Sequence, residues 1–200
     1  MFSLLEPTYF PLISHWRFIG SKKIIWSIDS KYNKQTLTNR TYINSANGEL
    51  LITVPIKHSG IDKPRKLSEI KLDENSNWRR NHYKSIKTCY QSSPFFEFYE
   101  HDVLSFYNRK YENLVDLNFA SIEMICNWIK IQIPKKIFKK NNINESLIQD
   151  LTSYSNTKKF NFSSQKKYNQ TFEDKNGFLN NLSILDLVFN CGPNSKNYFY

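Results

Sequence analysis

Glycine is scarce, with five residues in a chain of 200. No G-x-G-x-x-G, G-x-x-x-x-G-K-[ST] or G-x-S-x-G pattern occurs. A glycine-rich phosphate cradle is therefore not expected. Cysteine is sparser still. Cys89, Cys126 and Cys191 are odd in number and far apart, and no C-x-x-C or mixed Cys/His spacing joins them. H-E-x-x-H and an EF-hand loop are missing as well. The expectation is no disulfide, no metal site and no cofactor. No apolar run reaches the ~18 residues that span a bilayer. The N-terminus carries neither a basic stretch nor a small-residue cleavage site. The chain thus reads as a cytoplasmic protein without a membrane span.

What is present favours a packed core. Hydrophobic residues make up 40% of the chain and aromatics 16%. The length suits one domain over residues 1–200. The formal net charge of +10 raises a nucleic-acid reading. The excess lysines sit late, at Lys135-Lys136, Lys139-Lys140, Lys158-Lys159 and Lys166-Lys167, with no nucleic-acid motif beside them. Lysine on solvated faces of an Asn-, Ile- and Tyr-rich chain is the stronger reading, so nucleic acid is the less favoured partner.

The chain opens with a strand over 2–5 that Pro7 stops. Pro11 opens a helix in which Leu12, Trp16 and Ile19 share a face before Gly20. Residues 24–28 alternate as a strand, with Asp29 at its carboxyl end. This order gives an α/β unit, and ligands bind at the carboxyl ends of strands in such sheets. Tyr9 and Asp29 are candidates on that ground; each also serves as an ordinary loop residue. A hairpin is expected around Ala46-Asn47-Gly48, ending at Pro55. A short strand is expected over 68–72.

The segment 78–100 carries the clearest pattern. Trp78, His82, Ile86 and Tyr90 recur every four residues and make one buried stripe. Arg79, Arg80, Lys84 and Lys87 fall outside it. Ser93 and Pro94 fit the N-cap and first turn of a second, aromatic-rich helix. A third helix over 114–129 buries Asn118 on its apolar face. A buried amide without a partner costs about 1–3 kcal/mol, so Asn118 needs one. Residues 141–176 are polar and read as a connector or flap. The last helix, over 181–190, ends at Gly192, with Ser183, Asp186 and Asn190 on one side. The fold class is α/β: a small mixed sheet from the N-terminal half, packed by helices, with a helical C-terminal half.

His82 is the one histidine on a helix's apolar stripe. It is either a general base or a core residue whose bonds are satisfied. Gln35 and Asn39 lie four apart and would align if their segment is helical. Arg40 offers a planar fork for a carboxylate or phosphate, or pairs with an acidic neighbour such as Asp29. Cys89 beside His82 is a weaker nucleophile candidate.

One ordered set of residues goes further. Pro7-x-Tyr9-Phe10-Pro11 comes first, then Gln35, Asn39-Arg40 and Ile43, then Asn47-Gly48. Trp78-x-x-x-His82, Tyr90, Ser93-Pro94-Phe95-Phe96 and Leu117-Asn118 follow, and Ser183-Ile184-Leu185-Asp186 with Asn190-x-Gly192 closes the set. This order resembles the WbqC-like family of bacterial proteins, in its compact branch. Glu6 stands where many members carry Gln, and residues 133–178 match poorly. The resemblance implies a place in surface-polysaccharide synthesis, O-antigen included. It also implies transfer of an amino acid such as glycine to a sugar. It carries site roles onto Tyr9, Gln35, Asn39, Arg40, His82, Asn118 and Asp186. The expected partners are then a sugar or nucleotide-sugar and an activated amino-acid donor. In that scheme His82 is the base and Asp29 or Asp186 orients it. Asn39 and Asn118 donate to the oxyanion, while Arg40, Tyr9 and Gln35 hold substrate. Two rivals predict otherwise: a non-catalytic scaffold of the same pathway, and a basic nucleic-acid binder.

Overall fold

The computed structural model describes residues 1–21, 23–58, 60, 64–138, 145–156 and 165–199. Strand β1 (Phe2–Leu5) is the centre of a three-stranded parallel sheet, flanked by β2 (Ile24–Trp26) and by a strand from far along the chain. Between β1 and β2 runs helix α1 (Ile13–Ile19), which realises the expected α/β unit. An antiparallel ribbon follows, formed by β3 (Arg40–Ser45) and β4 (Gly48–Thr53). Its turn is where Asn47-Gly48 predicts it. The positive φ of 95° falls on Gly48, the residue best able to adopt it.

Three helices come next: α2 (Trp78–Tyr90), α3 (Phe96–Asn108) and α4 (Leu114–Trp128). Trp78, His82, Ile86 and Tyr90 are buried on α2, as their spacing requires. Asn113 caps α4 by accepting from the Asp116 N–H at 2.9 Å. The outer strand β5 (Ile148–Asp150) then pairs with β1, and a short turn of helix, α5 (Glu173–Asn176), leads to α6 (Ile184–Cys191). Residues 182–189 are all buried, so α6 is apolar nearly all round and the other helices pack about it. Phe189 gathers Tyr90, Phe96 and Trp128, with ring centroids 5.0, 5.1 and 6.0 Å away.

Four expectations are corrected. The parallel sheet is not built from the N-terminal half alone, because β5 belongs to the stretch expected to be a connector. Part of that stretch, with Lys139-Lys140 and Lys158-Lys159, lies outside the described residues. The strand expected over 68–72 is a 3-10 turn, Leu67–Glu69, because the Glu69 carboxylate accepts the Lys66 N–H at 3.0 Å and closes the chain locally. Helix α3 starts at Phe96 rather than at Pro94. The Ser93 hydroxyl is engaged by Thr171 at 2.7 Å instead of capping the helix, and the N-cap position falls on Phe95, whose own N–H donates to the Phe189 carbonyl at 2.9 Å. Residues 35–39 form turns rather than a helix.

Gly192 closes α6 with φ 56°, and a Cβ there would stand 2.5 Å from a ring carbon of Phe95. Strained backbone and overpacking act together at this site. Gly192→Ala will lower stability by about 1–3 kcal/mol, read as a fall in the urea midpoint at unchanged m.

Candidate functional site

Tyr9 leaves the end of β1, its N–H held by the Leu37 carbonyl at 3.1 Å. The next residue, Phe10, has φ 40°, a conformation that costs an ordinary residue about 1–3 kcal/mol. Three hydroxyls pin it. Thr41 and Ser183 donate to its carbonyl at 2.9 and 3.3 Å, and Ser121 accepts from its N–H at 3.3 Å. This strained corner drives Tyr9 into the helices, where it is fully buried.

There the Tyr9 hydroxyl meets His82 Nδ1 at 3.1 Å and the Tyr107 hydroxyl at 2.5 Å. The His82 ring also faces the backbone carbonyl of Thr53. With the ring proton on the other nitrogen, Nδ1 accepts from Tyr9. Tyr9 in turn accepts from Tyr107. Trp78 and Tyr107 pack edge-on to the imidazole, with centroids 5.2 and 6.1 Å away. Burial lowers the His82 pKa to about 4, so the ring is neutral at pH 7. Burial also raises the Tyr9 phenol well above its ordinary value.

Outside this chain lies a cleft of about 670 Å³, within the range of small-molecule sites. The antiparallel pairing of α2 and α3 creates it, because that pairing sets the start of one helix beside the end of the other. Tyr107 lines it, together with Arg79, Arg80, Arg109, Lys110 and Tyr111. Arg79 is committed to structure. It bonds Glu74 through two nitrogens and donates to the Arg109 carbonyl at 2.7 Å, near the C-terminus of α3. Arg80, Arg109 and Lys110 are exposed and give the cleft its positive charge.

The other sequence-predicted residues divide into three groups. Asn118 is fully buried and donates to the Pro7 and Thr38 carbonyls at 2.9 and 2.8 Å. Both its N–H groups are used, so it has none for an oxyanion. Asn39 donates to the Val54 carbonyl at 2.8 Å and clasps the end of β4. Arg40 pairs with Thr53 across the ribbon, its Nε buried without a partner among the described residues. Asn118 and Asn39 brace the backbone on either side of Tyr9 and at the end of β4. Gln35 is exposed at φ 64°.

Neither aspartate orients His82. Asp29 is exposed and pairs with Lys66 at 3.3 Å, which also removes the expected Arg40 partner. Asp186 is fully buried elsewhere, accepting from Tyr90 at 3.0 Å, Tyr168 at 2.6 Å and Gln170 at 3.1 Å. Burial raises its pKa to about 6. Cys89 is no nucleophile either, since burial pushes its thiol up to about 11. Sequence reasoning missed Tyr107, Arg109 and Lys110. They sit at the end of α3, and only its pairing with α2 makes them neighbours of His82's helix.

Fold and site define an α/β protein with a buried imidazole–phenol network beneath a cationic cleft. The chain belongs to the WbqC-like protein family, whose model matches residues 6–158 and 149–198. No curated protein and no solved structure matches it. Among the described residues, no helix is long and apolar enough to cross a membrane, and no cluster of three metal-ligating side chains occurs.

Proposed function

We propose that this protein is a transferase of surface-polysaccharide synthesis, acting on a phosphate-bearing sugar intermediate held in the cleft between α2 and α3. The observation that carries the reading is the junction of exposed Arg80, Arg109 and Lys110 with Tyr107, the outer member of the His82 chain. Guanidinium and ammonium groups bind phosphate, and Tyr111 offers a ring face for a sugar or base. A hydroxyl or amine of the acceptor attacks the carbonyl carbon of an activated aminoacyl donor. Its proton passes to Tyr107 as Tyr107 protonates Tyr9 and Tyr9 protonates His82 Nδ1. The donor's leaving group departs with the bonding electrons, and the proton returns along the same chain to it.

The test is binding and turnover together. A nucleotide-sugar at ~100 times its Kd adds about 2.7 kcal/mol, several degrees in Tm. Arg80→Ala and Arg109→Ala will abolish that shift. Tyr107→Phe will keep it and lower turnover by about 10²-fold or more, the scale of a lost acid–base group. A shift that survives both arginine variants rules out the cleft. The extreme burial of His82 favours a second reading, a non-catalytic binding protein of the same pathway. It predicts an arginine-dependent shift with no turnover under any donor.

A further inference from the structure

Helices α3 and α4 leave a groove of about 330 Å³ between them. It shares Arg109 and Tyr111 with the cationic cleft and otherwise has its own walls. Its walls follow from spacing. Asp102, Ser105 and Arg109 stand three and four residues apart on α3 and its C-cap, and Ala120, Glu123 and Asn127 repeat that spacing on α4. The Trp128 indole N–H donates to Asp102 Oδ2 at 2.8 Å and sets how the helices align. The end of α4 thus lies beside Asp102. Ala120, two turns earlier, falls beside Arg109, and the two line a smaller hollow together. At 1.5 Å per residue, Asp102 and Arg109 are about 10 Å apart along the helix axis.

The groove is therefore dipolar. One end carries the Asp102 carboxylate. The other carries the Arg109 guanidinium, 5.5 Å from the Tyr111 ring centroid. Glu123, on the facing wall, is paired with Lys136 at 2.8 Å, so it adds little net charge. The anionic end is held in place. Trp128 is buried and stacks on Tyr99 with centroids 4.5 Å apart, so the indole that grips Asp102 is itself fixed. Among the described residues Asp102 accepts from Trp128 alone, through Oδ2, which leaves Oδ1 for a ligand. Asp102 and Arg109 are both exposed, so a ligand can reach them. Between these ends Ser105 and Asn127 offer neutral hydrogen-bonding groups beside the apolar Phe106 and Met124.

That order selects a ligand class. An ammonium suits Asp102, and a carboxylate suits the planar fork of Arg109. A single α-amino acid carries its two charges too close together to meet both ends. An extended peptide advances about 3.3–3.6 Å per residue, so roughly three residues cover the distance. Its amides then pass Asn127 and Ser105, and its side chains meet Phe106 and Met124. We infer that the groove binds a short peptide with both termini free, its N-terminus at Asp102 and its C-terminus at Arg109. The inference stands apart from the transferase reading, because it asks for binding alone and Asp102 is no part of the cleft.

Calorimetry at neutral pH and low salt tests it, with trialanine, N-acetyl-trialanine, trialanine amide and dialanine. Trialanine will bind about fivefold more tightly than either blocked form, the size of one exposed ion pair. Dialanine, too short to meet both ends, will also bind more weakly. Asp102→Asn will erase the penalty of acetylation and keep that of amidation. Arg109→Ala will do the reverse. Tm recorded on each variant shows that it is folded. The inference fails if trialanine does not bind at millimolar concentration, or if blocking either terminus costs nothing. It fails equally if either variant weakens all the peptides alike. Nucleotide-sugar binding is read separately on the unaltered protein, so failure of the groove and failure of the cleft are told apart.

Discussion

Acidification from about pH 7 to about pH 4.5 will cost the protein much of its stability, and two histidines will account for the loss. Burial holds His15 and His82 at about 4, against an ordinary 6.5. Above 6.5 both are neutral, folded or unfolded. Between 6.5 and 4 the unfolded chain takes up protons that the fold refuses. Stability then falls by up to about 1.4 kcal/mol per pH unit for each ring, or about 3 kcal/mol each over the window. Asp186 acts in the opposite sense. Its carboxyl is raised from 3.8 to about 6, so the folded state takes the proton first as pH falls. That returns about 3 kcal/mol between 6 and 4. The net loss of about 3–4 kcal/mol is a large part of a typical domain's 5–15 kcal/mol. Urea unfolding across this range checks each contribution. His15→Gln and His82→Gln will each flatten the pH dependence, and Asp186→Asn will steepen it. An unchanged slope in either histidine variant would mean that the ring is not held neutral.

The second large effect concerns Asn118. Asn118→Leu nearly conserves volume but removes both donors to the Pro7 and Thr38 carbonyls. Two buried acceptors left bare cost about 2–6 kcal/mol together. The urea midpoint will fall with m unchanged. A loss below about 1 kcal/mol would show that those carbonyls find other donors. The same variant loosens the approach of residues 36–38 to the segment carrying Tyr9, so the His82 network will loosen with it. An upfield or broadened imidazole signal in NMR at neutral pH will report that.

Where sequence alone sufficed, the signal was local. The four-residue stripe of α2 and the Asn47-Gly48 turn are written within one or two turns of chain. His82 and Asn118 were legible as polar residues on apolar faces. Their partners were not, because Tyr9 lies 73 residues from His82 and Pro7 lies 111 from Asn118. Asn39 and Arg40 stood out for their chemistry. Asn39's clasp on β4, and Arg40's place opposite Thr53, depend on the register of β3 against β4, which no spacing encodes. Strand β5 escaped notice because it is three residues long, and two of them, Gln149 and Asp150, face solvent. Tyr168 and Gln170 looked like connector residues until Asp186 drew them inward.

The order β2-β1-β5 sets a timetable for synthesis. On the ribosome β1 emerges first, and α1 and β2 follow within about two dozen residues. Its other edge then waits for residues 148–150. At 5–20 residues per second that interval is roughly 7–30 s. Throughout it, the nascent chain carries a bare apolar strand edge beside a helical core still lacking α6. Unpaired edges of this kind join other chains. Yield should therefore depend on holdase chaperones and on growth temperature, even where the finished protein is stable.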